Sequence, residues 1–120
     1  MKETVCAFIS MLIVAASAYA GERTIGKGDS VSIDITGLPP EMLKAHSVMM
    51  DKCTRCHSSE RVLGAVKTGV APVTNTGFSK ETAKPLVDRM VKKPDSNMTN
   101  DDAGMILIYL KYLLGHSHHF

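Results

Sequence analysis

Cys53-Thr54-Arg55-Cys56-His57 sets two thiols and an imidazole within five consecutive residues. What precedes it has a helical pattern. Pro39 and Pro40 suit the first turn of a helix, where a missing backbone N–H costs nothing. From about Glu41 to Lys52, Met42, Leu43, His46, Met49 and Met50 recur at helical spacing on one face. This helix leads straight into Cys53. His46 reads as a partly buried helix residue, and Met42, Met49, Met50 and the later Met105 read as packing.

Outward from the pentapeptide, residues 58–78 are rich in Gly, Thr, Val and Pro and read as loop. A second helix is expected from about Thr82 to Lys93. Pro85 falls in its first turn, where it is tolerated, and Leu86, Val87, Met90 and Val91 form its apolar side. Pro94 ends it, because the residue before a proline avoids the helical region. A third helix follows the N-cap Thr99, with Asp102 three residues on in an approximate capping box. Asp101 and Asp102 suit the positive end of its dipole. Ala103, Ile106, Leu107, Leu110, Leu113 and Leu114 form its stripe, and Gly115 is a stop signal. Upstream, residues 21–38 are polar and glycine-containing. Val31, Ile33 and Ile35 alternate with Ser32 and Asp34 there, as in a short strand or extended arm. The expected fold is all-α: about three helices over residues 39–115, an extended N-terminal arm (21–38) and a His-rich tail (116–120). A solvated, frayed tail is the simpler reading of His116, His118 and His119, although such a tract can trap a transition metal. The chain shows no internal repeat and no low-complexity segment.

The pentapeptide is C-x-x-C-H, the attachment signature of c-type haem. Each thiol adds across one haem vinyl group to give a thioether, and the adjacent histidine is held beneath the iron as proximal ligand. Random order of this composition gives about 0.003 such matches per chain. Three other chemistries use part of the set. A thioredoxin-like couple needs a βαβ pattern nearby, and none is present. A disulfide suits an exported protein. A zinc site would need Cys53, Cys56, His57 and a distant histidine.

The N-terminus points to export. After Lys2 and Glu3, residues 5–16 are apolar apart from Ser10, and Ser17-Ala18-Tyr19-Ala20 has small residues where a signal peptidase reads them. This is the pattern of a signal peptide (1–20) cleaved after Ala20, with a retained N-terminal anchor as the alternative; the run is short for a membrane span. Cys6 lies in the run without a lipid-attachment context. Cleavage leaves 100 residues and lowers the basic and acidic counts from 14 and 12 to 13 and 11. The net stays at +2, too small to suggest nucleic acid. Phe78, Tyr109, Tyr112 and Phe120 are the remaining aromatics. A domain of this size is marginal on apolar burial alone, and a large flat cofactor would add core.

A helix feeding C-x-x-C-H, a loop, and a last helix containing Tyr109-Leu110 resemble a monohaem class I cytochrome c. More narrowly, Cys56-His57-Ser58-Ser59-Glu60-Arg61-Val62 and Val87-Asp88-Arg89-Met90-Val91-Lys92-Lys93-Pro94 resemble small cytochromes of anaerobic metal-reducing bacteria. The resemblance covers roughly residues 40–114, and its only highly specific motif is C-x-x-C-H. The chain departs from the family in having no aromatic near Ala83 to Pro85, and its arm at residues 21–38 matches no part of it. The resemblance implies one covalent haem c held by Cys53 and Cys56, with His57 on the iron.

A carrier's haem usually has two protein ligands. The resemblance places the second in the segment before the last helix, which makes Met90 the first choice and Met98, immediately before Thr99, the runner-up. It also implies that Pro72, in Gly69-Val70-Ala71-Pro72, belongs to a turn whose carbonyl orients His57. Arg55, Arg61 and Lys67 are candidates for the haem propionates, or else solvated surface charges. The expected function is a periplasmic one-electron carrier, not an enzyme. Its donor and acceptor would be periplasmic or membrane redox proteins, and it would have no stable membrane insertion once the signal is removed. The alternatives are a haem-based ligand sensor and a haem subunit of a larger oxidoreductase.

Overall fold

The computed structural model describes residues 24–26 and 31–116. The expected signal peptide and cleavage site, and tail residues 117–120, lie outside them. Among the described residues four α-helices carry the fold: α1 (Pro40–Cys53), α2 (Ser59–Thr68), α3 (Ala83–Val91) and α4 (Asn100–Gly115). Two antiparallel ribbons accompany them there. β1 (Thr24–Ile25) pairs with β2 (Ser32–Ile33), and β3 (Val70–Ala71) pairs with β4 (Thr76–Gly77). The mainly helical expectation holds, with these small ribbons added.

Helix α4 is the central element, and α1, α2 and α3 all pack on it. Its start is the one the sequence specified. The Thr99 hydroxyl accepts the Asp102 N–H at 3.1 Å, and the Asp102 carboxylate accepts the Thr99 N–H at 2.9 Å. That second bond, ahead of the nearby Lys52, holds the Asp102 carboxyl below its ordinary pKa. Ile106, Tyr109, Leu110 and Leu113 are its buried residues. Tyr109, absent from the expected stripe, is the largest fully buried side chain. Its hydroxyl lies 2.9 Å from Nδ1 of His46 on α1, so the polar end of the ring has a partner inside the α1–α4 interface. At the other end, His116 belongs to the helix end as its C-cap and not to the expected tail: its Nδ1 donates to the Tyr112 carbonyl at 2.7 Å, and its ring lies 4.4 Å from that of Tyr112.

Helix α2 corrects the loop expected over 58–78. Its cap is Ser58, whose hydroxyl accepts the Arg61 N–H at 3.3 Å, and Glu60 sits in its first turn. Ser59, Leu63, Ala65 and Val66 make its inner face. Gly69 ends it at φ +70°, and its N–H bonds the Ala65 carbonyl. A side chain rarely adopts this left-handed geometry, which glycine adopts freely. Only residues 69–78 are left as hairpin and loop. The arm is less separate than expected, because Ile33 is buried in the core and β2 packs on α2.

Candidate cofactor site

The end of α1 fixes the first part of the site. The helix terminates at Cys53, and the next turn closes by Cys56 N–H and His57 N–H bonds to the Cys53 carbonyl, at 3.3 and 3.0 Å. Thr54 also caps the Met50 carbonyl with its hydroxyl. This turn reverses the chain into α2 and aims Cys53 inward, where it is buried.

Cys53 and His57 lie in the wall of one cleft of about 240 Å³, somewhat below the usual size of ligand pockets. The cleft runs between the motif turn, α2, the β3–β4 hairpin, α3 and α4. Met90, at the end of α3, and Met98, just before α4, line it too. Val62, Phe78, Leu86, Val87, Ile106 and Leu110 supply apolar wall. Phe78, buried from the loop before α3, is the aromatic of this wall, while Ala83 is buried where the resemblance leads one to expect an aromatic nearby. Pro72 is also in the lining, on the hairpin.

Among the described residues, the charged ones that line the cleft are all cations: Arg61, Arg89 and Lys93. Of the three cations singled out in the sequence, Arg61 lines the cleft, whereas Arg55 and Lys67 do not. Arg89 and Lys93 were missed. Their only signal was their spacing from Met90, which places them at the same end of α3. Arg55 instead pairs with Asp51 one helical turn back, at 3.3 Å. Cys56 is exposed and faces a separate shallow hollow with Met50, Arg55 and Ser58. His57 lines both the cleft and this hollow.

The electrostatics separate the possible chemistries. Cys53 and Cys56 are free thiols. Burial, and then the charge of Cys56, pushes the Cys53 thiol up to about 11. An attacking thiol is shifted the other way, toward thiolate, so Cys53 is not placed as a nucleophile. For His57, burial first, then Arg61 and Lys93, lowers the pKa. The neutral imidazole that metals require is therefore favoured. The Arg61 guanidinium lies 3.4 Å from Nδ1 of His57. Because Arg can only donate, this contact puts the ring proton on Nε2, and ligation through Nε2 requires Arg61 to release Nδ1. Among the described residues no group of three or more His, Cys, Asp or Glu is placed to hold a bare metal ion.

The two methionines differ. Met98 packs against the hydrophobic core, whereas Met90, half-buried on the cleft wall, is not among the described side chains that do. Among the described residues no helix is long and apolar enough to cross a membrane. No protein-family model, no curated protein and no solved structure matches the chain.

Proposed function

We propose that the chain is an exported c-type cytochrome that carries one electron at a time between periplasmic or membrane redox partners. The observation that carries this reading is the convergence of Cys53, His57 and Met90 on one apolar cleft whose charged residues are all cationic. An amphiphilic, dianionic, flat cofactor matches that lining. The hydrophobic wall takes its ring and the cations balance its carboxylates. Cys53 and Cys56 would hold the haem as thioethers, His57 would be the proximal ligand and Met90 the distal one. When bound, the haem supplies an iron that cycles between two oxidation states.

The residues of this chain set the conditions for that chemistry. The motif turn holds Cys53 and His57 on consecutive turns of backbone, so that one rigid element carries attachment and ligation. Val62, Leu86, Val87 and Ile106 keep water from the cleft wall, and axial ligand and burial are levers on potential. Arg61, Arg89 and Lys93 favour the negatively charged groups that enter beside them.

A thioredoxin-like couple lacks the βαβ surround it needs, the strands being short antiparallel ribbons, and a zinc site lacks further His, Cys, Asp or Glu ligands beside the motif, both among the described residues. The test is an absorption spectrum and intact mass of the protein co-expressed with a c-type maturation system. A sharp reduced c-type spectrum, with the mass of residues 21–120 plus one haem, is the expected result. If a control cytochrome matures and this chain carries no haem, the proposal fails.

A further inference from the structure

Lys52, the residue before Cys53, does not behave as a surface lysine. Its side chain is only 17% exposed, and an ammonium so placed needs partners. Its Nζ donates to the Asn97 carbonyl at 2.8 Å and lies 3.6 Å from the Asp102 carboxylate. Asp51, at 3.9 Å, is a more distant and more exposed neighbour. Asn97 has a left-handed backbone, φ +48°, a geometry that Asn tolerates better than most residues.

Behind Asn97 runs a hydrogen-bonded track. The Lys93 N–H bonds the Met90 carbonyl, and the Ser96 N–H bonds the Lys93 carbonyl, both at 3.1 Å. The Ser96 hydroxyl donates to the Val91 carbonyl at 3.3 Å and accepts the Met98 N–H at 3.4 Å. Residues 90–98 thus form one bonded segment with a cleft-lining methionine at each end. Lys52 clips the far end of this segment to the helix that bears Cys53.

We propose that Lys52 is a positioning residue, a clasp that holds the Met90–Met98 wall of the cleft at a fixed distance from the Cys53–His57 wall. The proposal rests on the haem reading above for its functional consequence, although the clasp is a property of the chain. Lys52 touches neither the cleft nor the attachment atoms. It acts through Asn97 and Ser96, and the Asp102 carboxylate that caps α4 keeps its charge compensated. Without it, the Asn97 carbonyl loses its cross-helix donor and the distal wall opens more often.

The experiment uses the haem-loaded protein, with loading checked by mass. Lys52→Met keeps the apolar stem and removes the donor, Lys52→Arg keeps a donor, and Tyr109→Phe removes a distant hydrogen bond at the α1–α4 interface as a control for general destabilisation. The readouts are amide hydrogen exchange at residues 97–99 and the rate of CO binding after reduction. Lys52→Met is expected to raise both about tenfold, the equivalent of losing one charge-assisted hydrogen bond, while the haem stays attached. Lys52→Arg is expected to restore most of the difference, and Tyr109→Phe to lower Tm without moving either rate. Wild-type rates in Lys52→Met, or equal effects from Tyr109→Phe, would overturn the clasp. A wild-type protein without haem would instead sink the haem reading, and exchange at residues 97–99 in the same variants would still decide whether the clasp exists.

Discussion

Replacing Met90 and Met98 by Ala, one at a time, separates a ligand from a packing residue. Met90 is half-buried on the cleft wall and does not pack against the core among the described residues. Full burial makes Met→Ala cost about 2–5 kcal/mol, so the packing loss at position 90 is about 1 kcal/mol. In a domain of this size that lowers Tm by roughly 4–8 °C. Met98 does pack on the core, and its truncation costs about 2 kcal/mol, the lower end of the same range. Packing alone therefore makes Met98→Ala the worse variant. Ligation as proposed would reverse the order of the spectroscopic effects: Met90→Ala is expected to keep a covalent haem but to lose the red charge-transfer band of the oxidised form and to bind CO rapidly when reduced. Met98→Ala keeps the band despite its lower Tm. The assays are optical spectra, CO mixing and thermal unfolding on matched samples. A band that survives Met90→Ala and vanishes in Met98→Ala would refute the assignment and move the sixth ligand to Met98.

Burial lowers the His46 pKa in the folded state, and burial with Arg61 and Lys93 lowers that of His57. The unfolded chain therefore binds more protons below the ordinary histidine value of about 6.5. In protein made without haem, where His57 carries no metal, stability is expected to be full above that pH and to fall as the pH drops through the folded-state values; urea unfolding across the range, with His46→Gln flattening part of the slope, checks this. In protein made without haem, Cys53 with a pKa of about 11 holds about a thousandth of its thiol as thiolate near pH 8. Cys56, which is exposed, is expected to be alkylated far sooner, and equal labelling of the two by mass would contradict the buried placement of Cys53. Tyr109→Phe removes the partner of His46 Nδ1 and is expected to cost about 1 kcal/mol; an unchanged Tm would show that the His46–Tyr109 bond contributes nothing net.

Three helices were legible because their ends carry hard local signals. Pro39 and Pro40 start α1, Pro94 stops α3, and Thr99 with Asp102 starts α4. Helix α2 was not, because Gly64 and the β-branched Val62 and Val66 lower its propensity, and tertiary packing of Leu63, Ala65 and Val66 supplies what propensity lacks. Ser58 with Glu60 and Gly69 were its visible cap signals, obscured by the Thr- and Pro-containing hairpin that follows. Tyr109 was outside the expected stripe for a different reason: a phenol is buried only with a hydrogen-bond partner, and that partner, His46, is 63 residues away. The cationic rim was half-legible. Arg61 follows the motif by one helical turn, but Arg89 and Lys93 reach the same cleft only through the packing of α3 on α4.

That packing also bears on how the proposed attachment would couple to the fold. Helix α3 is nine residues long, too short to be stable by itself. Ala83 and Val87 are its buried residues, and Leu86, Val87 and Met90 share the cleft wall. Its inner side is thus divided between α4 and the cleft. A flat apolar group held there by Cys53 would bury the second half of that side, at roughly 25 cal/mol for each Å² of apolar surface removed from water. The same occupancy would meet His57 on one wall and a methionine on the other. In a domain with so small a core, the proposed haem would also be the packing partner that α3 needs, so variants that weaken its attachment are expected to loosen α3 first.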